Sequence, residues 1–526
     1  MKRLISPFSL LLAAVSTIIG SGWLYSAFFS AELAGVYSIL SWLIGGIAFC
    51  VIALVFAELS AMFPISGSSV RLPQISHGTL CSFSFAWIIW LTYMATTVIE
   101  VQAVLQYLSF FFPSLTKASG GLTGLGYLGA VLLMLVISVA NVYSLRWLFN
   151  CNNVLTILKI AAPLLVVVVF ISVSFSVEKF SKIATITPSH SISGIFSAIA
   201  AGGIAFSFNG FKQAAELAGE VKRPSFSLPF ALVGSILIVT FLMIALQFGY
   251  LATISPKNLV LGWKELATYG VEKNAPIASA AVGIGSNWLL IIIYLTAILS
   301  PFAAGFMYCS AAARSLYGMG LSGHFPKFFS FLNPSGNPYY GVLATFLAGL
   351  LMFFPLPGWK AMVTFLTSVI TVSYAIGPIN LLAMRRQFSS FPRPFRLPLA
   401  RVSATLAFFF CNLLTYWTGW EIVSKMGIAI GVGLLFLLIY RVLVKEKSQL
   451  DFYNSIWLWF YLCGMSAISY LGGFGNGLGK ISFGWDFLII GLFSIIVMEL
   501  AVWNRLSEEK AIEYANRYLS TDLNVE

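Results

Sequence analysis

Charge is what this chain has least of. Only 9% of its 526 residues are Asp, Glu, Lys or Arg, against 59% apolar types, and mean hydropathy is +0.91. Soluble domains carry about 25% charged residues, so a water-facing surface could not be covered here; lipid is the solvent such a chain suits. Histidine is nearly missing, with only His77, His190 and His324. The cysteines Cys50, Cys81, Cys151, Cys309, Cys411 and Cys463 are scattered, mostly in apolar runs, with no C-x-x-C pair and no His/Cys cluster. That spacing argues against a metal centre or a disulfide framework, and no cofactor is expected. Acidic residues are fewer than basic ones, 18 against 30, for a formal charge of +12. Such an excess suits nucleic acid until the basic residues are placed. They lie in short loops between apolar runs, the pattern of membrane topology rather than of phosphate binding.

What is present is a succession of apolar segments. A spanning helix needs about 20 largely apolar residues, and fourteen segments are predicted on that basis. They lie near 8–30, 36–62, 83–112, 125–144, 153–176, 191–219, 228–253, 279–313, 340–356, 360–384, 402–420, 424–444, 455–472 and 483–503. Thirteen spans remain open, because the ninth segment is short and the break around Trp420–Glu421 is narrow. Met1, Lys2 and Arg3 precede an apolar run as in a secretory signal, but the run from Phe8 to Ala31 is too long and has no clear cleavage site. It reads as a retained first helix. Loops are short, so no separate soluble domain is expected. The polar interval from Ser255 to Pro276 is the longest. The run Gly472–Gly479 resembles a phosphate-cradling loop but follows no strand, and a flexible hairpin is the simpler reading.

Lys and Arg set the orientation. With the amino terminus inside, nineteen of the thirty fall on the cytoplasmic side, among them Lys2, Arg3, Arg146, Arg385, Arg386, Lys445 and Lys447. Nine fall outside, all of them lysine, and two, Lys159 and Lys212, fall within spans. Both termini are expected in the cytoplasm of a multi-pass plasma (inner) membrane protein.

Two segments carry glycine and small polar residues in mid-membrane. The first holds Ile18-Ile-Gly-Ser-Gly-Trp23, with Gly20, Ser21 and Gly22 in sequence; the sixth holds Phe206-Ser-Phe-Asn-Gly-Phe-Lys212, with Ser207, Asn209 and Gly210. Close helix packing through small residues is one reading of either site. However, Gly20 and Gly210 are 190 residues apart, about five spans. Broken helices at corresponding places in two halves point to a transporter binding site. Unwound backbone exposes N–H groups and a positive helix end to a carboxylate, and carbonyls to an ammonium.

Four motifs resemble the amino acid–polyamine–organocation superfamily of permeases: Thr17-Ile-Ile-Gly-Ser-Gly-Trp23; Ala57-Glu-Leu-Ser-Ala-Met-Phe-Pro64 with Ser66-Gly-Ser-Ser69; Asn209 to Pro224; and Ala313 to Lys327. They occur in family order over residues 8 to about 400. The resemblance implies an all-α, LeuT-type fold: a core within 1–400 of two inverted five-helix repeats (about 8–176 and 191–384), helices 1 and 6 broken. Four further helices and a cytoplasmic tail fill 401–526. The third segment, Ile99 to Tyr107, looks most like the family's bacterial aspartate–proton symporters.

Charges inside spans are few and each costs about 2.5–3.5 kcal/mol at a helix centre. Lys159, in the fifth segment, is open to two readings. It snorkels to the headgroups, or, as the resemblance implies, it faces the first and eighth helices and gains and loses a proton where sodium sits in sodium-coupled relatives. Lys212 stands where many relatives have glutamate, and Glu216 lies at i+4, so a helical ion pair is an alternative to a substrate contact. Glu100 has no opposite charge within a turn; a protonated or locally paired carboxyl is its alternative. Glu58 belongs to the second-helix motif and is read as structural.

The expected function is a secondary transporter moving amino acids, by proton symport, with an acidic substrate favoured by Lys212. The expected substrate-binding set is Ile18, Gly20, Ser21, Gly22, Glu100, Phe206, Ser207, Asn209, Gly210 and Lys212, with Lys159 coupling protons; membrane lipid is the remaining partner. An amino acid or polyamine exchanger on the same fold is the alternative. A polytopic membrane enzyme would need a catalytic Asp, Glu or His cluster at the surface, and the external loops have none, so no enzyme is expected.

Overall fold

The structure, a computed structural model, describes residues 5–523 apart from 65–67, 118–119, 144–145, 187–191, 270–272, 322, 324 and 445–449. Among the residues singled out above, Met1, Lys2, Arg3, Ser66, Gly67, His190, His324, Lys445 and Lys447 lie outside the described residues, as do the side chains of Arg146 and Cys151.

The described chain is helical, with no named strand. A first broken pair, α1 (Pro7–Ile18) and α2 (Gly22–Ala34), leads to α3 (Ser38–Met62), a short α4 (Ser68–His77), α5 (Thr79–Leu108), α6 (Gly124–Val142) and α7 (Arg146–Ser174). After α8 (Val177–Thr185) a second broken pair follows, α9 (Ser193–Ala201) and α10 (Phe211–Glu216), then α11 (Pro224–Thr253), α12 (Pro276–Gly283), α13 (Leu289–Leu321), α14 (Tyr339–Met352) and α15 (Gly358–Gln387). The remainder is α16 (Ala400–Trp417), α17 (Trp420–Val444), α18 (Ile456–Leu471), α19 (Trp485–Trp503) and a tail helix, α20 (Glu508–Leu523).

Among the described residues, nine helices are long and apolar enough to cross a membrane, or ten if the bent pair α9/α10 is one span. The fourteen predicted segments all fall on helices. However, α1 has 12 residues and α14 has 14, about 18 and 21 Å at 1.5 Å per residue, against a hydrocarbon core of about 30 Å. Length and composition alone therefore do not give fourteen. The predicted eighth segment is not one helix either. Gly283-Ile-Gly-Ser-Asn287 parts α12 from α13, with Gly285 at φ 75°, and α13 then runs on to Leu321.

The centre of the bundle is α5 and α15. Every residue of α5 from Thr79 to Tyr107 is buried, and α5 packs on both α13 and α15. Burial on all sides explains why α5 shows no apolar stripe. Its hydroxyls turn inward on their own helix: Thr92, Thr96 and Thr97 donate to the carbonyls of Ile88, Thr92 and Tyr93 at 2.9, 2.7 and 3.1 Å. This satisfies them where water is absent. By contrast α17 leaves most of its surface outside the protein, with Leu435, Leu438, Val442 and Leu443 exposed. Lipid is the natural partner for such a face.

Glu58 is structural, as its motif implied. Fully buried, it accepts from Arg385 Nε and Nη2 at 2.8 and 2.6 Å and from the Leu397 N–H at 2.7 Å. The bidentate fork joins α3 to the end of α15, and removing one partner of such a buried pair typically costs about 3–5 kcal/mol.

Candidate substrate site

The two broken helices meet. At the first, α1 ends at Ile18, Ile19 is extended (φ −80°, ψ 90°), and α2 starts at Gly22 after Ser21. At the second, the chain passes through Gly203 (φ 89°) and a short 3-10 turn, Phe206–Phe208. It then reaches Gly210 (φ 115°), so that α9 and α10 are bent by 53°. Gly210 is required twice over. Its φ lies in the left-handed region, and a side chain there would meet the Thr17 carbonyl oxygen at 2.7 Å and the Tyr308 hydroxyl at 2.9 Å. The Thr17 hydroxyl in turn donates to the Gly210 carbonyl at 3.2 Å.

Charged and polar side chains occupy freed groups at the first break. The Ser21 N–H donates to Glu100 Oε2 at 2.9 Å and to Oε1 at 3.2 Å. An unwound helix start thus holds a carboxylate, as its positive end favours, and the carboxylate belongs to the protein. Glu100 is buried against Gly20; a Cβ at Gly20 would collide with its Oε1. On the carbonyl side, Lys159 Nζ donates to the Ser16 carbonyl at 3.1 Å, and Ser300 Oγ donates to the Ile19 carbonyl at 3.2 Å. Lys159 is buried and its ammonium is turned onto the end of α1, rather than outward as snorkelling requires. The pattern met by Glu100 is the local pairing left open above, through a backbone N–H.

Aromatic rings close this break toward the carboxy-terminal end of α5. Trp359 stacks on Tyr25 (4.7 Å between centroids) and Phe29 (5.7 Å) and meets Phe206 edge-on at 5.6 Å. Its Nε1–H donates to Ser21 Oγ at 2.9 Å. Gly22 faces Ser207, whose Oγ a Cβ at Gly22 would strike; Ser207 Oγ is 3.0 Å from Ser26 Oγ. Ile18 is buried in the core beside the break.

The second break is different. Asn209 is fixed by Thr96 Oγ1 at 3.1 Å and the Tyr374 hydroxyl at 3.3 Å. Beyond it lies a small cavity lined by Ile89, Thr92, Tyr93, Asn209, Gly210, Lys212, Gln213, Ser373 and Tyr374. Lys212 is buried, its ammonium 5.2 Å from the Phe56 ring centre and 5.8 Å from that of Tyr374, in the range of cation–π attraction. The alternative helical pair with Glu216 is not formed among the described residues: Glu216 Oε1 accepts from Ser69 Oγ at 2.7 Å and the Tyr93 hydroxyl at 2.8 Å. Gln213 Nε2 is buried without a hydrogen-bond partner among the described residues. Thr92 lies eight residues before Glu100 on α5, about 12 Å along the helix, so Lys212 and Glu100 belong to separate parts of the site.

All eleven residues singled out from the sequence therefore gather at the two breaks or beside them. Trp359, Ser300, Tyr308, Tyr374 and Gln213 join them unforeseen. Only Ser300 carried a signal, a small polar residue before Pro301 inside an apolar run. Among the described residues no group of three or more His, Cys, Asp or Glu could hold a metal.

Comparison with known proteins shows the family. Residues 5–444 match the amino acid permease family. The chain is 33% identical over 506 residues to the glutamate/serine transporter AimA of Bacillus subtilis (strain 168), covering 94% of this chain and 93% of that one. It is 31% identical over 522 residues to the aspartate-proton symporter of the same organism, covering 98% of each. A more distant relative is the large neutral amino acids transporter small subunit 2 of Mus musculus, 25% identical over 459 residues, 84% of this chain and 82% of that one. Broken helices meeting at a buried, charge-bearing site and near full-length similarity lead to one statement: the chain belongs to the amino acid permease family, and is a multi-pass membrane transporter of amino acids rather than an enzyme.

Proposed function

We propose that the protein carries an acidic amino acid across the plasma membrane together with protons. The observation that carries this reading is the pair of charges at the first break: Glu100 on the Ser21 N–H and Lys159 on the Ser16 carbonyl. In this reading Glu100 is a resident occupant of the place a substrate carboxylate needs. Protonation removes its charge, weakens its hold on the N–H and frees the helix end for the ligand's α-carboxylate. Lys159, a buried ammonium on the α1 side of the same break, gains and loses the proton in each cycle. Of the expected residues, Ile18, Gly20, Ser21 and Gly22 shape the backbone site, and Phe206, Ser207, Asn209 and Gly210 shape the facing one.

Lys212 supplies the acidic preference. Its ammonium, next to a cavity and without a carboxylate within ion-pair distance among the described residues, offers an anionic side chain a charge-assisted contact. Such a contact is worth about 1.5–3 kcal/mol, or about tenfold to over a hundredfold in affinity. Gln213 Nε2 is a second donor there. The names of two relatives, one for glutamate and serine and one for aspartate and protons, support the same substrate class.

The assigned framework is two inverted repeats, about 8–176 and 191–384, within a 1–400 core, with α16 to α19 outside it. Both termini are cytoplasmic by the lysine–arginine bias. Tags at Met1 and Glu526 should then report the cytoplasm and a tag within 255–276 the exterior; the reverse would overturn the orientation. Function is tested with purified protein in liposomes, screening labelled amino acids with and without an inward proton gradient. Accumulation of aspartate or glutamate driven by the gradient is expected. Uptake only into vesicles preloaded with amino acid would make the protein an exchanger.

A further inference from the structure

We propose that the carboxy-terminal helix α20 is a brake on transport, acting through α4 on the half-helix α10. The inference rests on the transporter reading, but not on proton coupling or on substrate charge.

The tail is built into the fold. Ala511 and Ala515, one turn apart, are buried, while Glu508, Glu509, Glu513 and Arg517 face outward. The buried side of α20 lies on α4. Two sets of polar contacts fasten it. In the first, the Asp451 carboxylate accepts from the Thr79 N–H at 3.1 Å and the Tyr514 hydroxyl at 3.3 Å, and Lys510 Nζ stands 3.8 Å away. One buried carboxylate thus caps the start of α5, where a negative charge is favoured, and holds the tail. Gly78, at φ 84°, allows this approach, since a side chain there would collide with Asp451. In the second set, the Leu506 N–H donates to the Ser76 carbonyl at 2.9 Å. Gln387 Nε2, at the end of α15, donates to the Ser76 and Leu506 carbonyls, both at 2.9 Å. The His77 ring lies 3.0 Å from the Ala501 carbonyl, and burial pulls its imidazole down to about 4, so it stays neutral at ordinary pH.

At its other end α4 reaches the second half-helix of the site. Ser69 Oγ donates to Glu216, the last residue of α10, at 2.7 Å. A continuous path of packed and hydrogen-bonded groups therefore runs from α20 through α4 to the helix that carries Lys212. Alternating access moves one part of the bundle against another around the site, and in this proposal α10 belongs to the part that moves. A contact that pins α4 between α20, α15 and α10 resists that motion, so releasing it speeds the conformational step.

The test is counterflow of whichever labelled amino acid the wild type carries, in liposomes at equal pH on both sides, with full-length protein and a variant ending at Arg505, which removes α20 and the Leu506 contacts. The truncated protein is expected to turn over several-fold faster with KM unchanged. Tyr514→Phe should give part of that gain. Ser69→Ala should also raise turnover, and should add nothing when combined with the truncation, because both cut the same path. Unchanged or slower turnover in a folded, monodisperse truncation overturns the proposal. If the truncation does not fold, Tyr514→Phe and Ser69→Ala decide: a rate at the wild-type level in both overturns it, and a raised rate in both supports it. Counterflow runs without a proton gradient, so failure here is separate from failure of the symport reading.

Discussion

The two breaks are built from similar residues and are left in opposite states. At the first, around Gly20 to Gly22, charged and polar side chains sit on the freed backbone: Glu100 on the Ser21 N–H, Lys159 and Ser300 on the Ser16 and Ile19 carbonyls. At the second, Thr96 and Tyr374 hold the Asn209 side chain and the Thr17 hydroxyl donates to the Gly210 carbonyl. The nearby Lys212 and Gln213 line a cavity, and the ammonium stands over the Phe56 and Tyr374 rings. The difference teaches a division of labour. A buried charge that sits on an internal partner is suited to be exchanged for a ligand or a proton, whereas one that faces a cavity is suited to choose among ligands.

That comparison can be broken in several ways, the most damaging first. Gly22→Leu would drive a side chain into Ser207 between the two breaks. It should abolish substrate binding while expression persists; unchanged affinity in a binding assay would remove the first break from the site. Lys159→Gln keeps a polar end near Ser16 but cannot hold a proton, so gradient-driven accumulation should disappear while counterflow survives. Full accumulation by this variant would refute the coupling role. Glu100→Gln retains an acceptor for the Ser21 N–H without a titrating charge. Uptake should become nearly independent of external pH, and an unaltered pH profile would show that Glu100 only caps α2. The smallest effect is expected at the second break. Lys212→Ala should weaken inhibition by aspartate and glutamate about tenfold to a hundredfold, with Lys212→Met as a control that keeps the stem packed against Phe56. Stronger competition by leucine or arginine in the wild type would end the acidic-substrate reading.

How far the residues announced this arrangement depends on the range of the forces involved. Membrane segments show clearly because lipid tolerates almost nothing but apolar surface, and the two breaks stand out against that background. Contacts between distant segments leave no such trace. The i+4 spacing of Lys212 and Glu216 suggested a pair, but Ser69 and Tyr93 claim the carboxylate from other helices. Trp359 opens α15 after Gly358 (φ 81°) and reaches Ser21 from 338 positions away; nothing local to it indicates that reach. Short helices were missed for a different reason. α4 and α8 are too polar to read as spans, and α20, with four of its first six residues charged, carries no apolar run.

The most direct test of the division of labour is a crossed measurement on one set of liposomes. Gradient-driven accumulation and aspartate inhibition are measured together for the wild type, Lys159→Gln and Lys212→Ala. Lys159→Gln is predicted to lose accumulation and keep the inhibition constant for aspartate in counterflow; Lys212→Ala is predicted to keep gradient dependence and lose aspartate inhibition. Loss of both properties in both variants would contradict the account, since the two breaks would then act as a single undivided site.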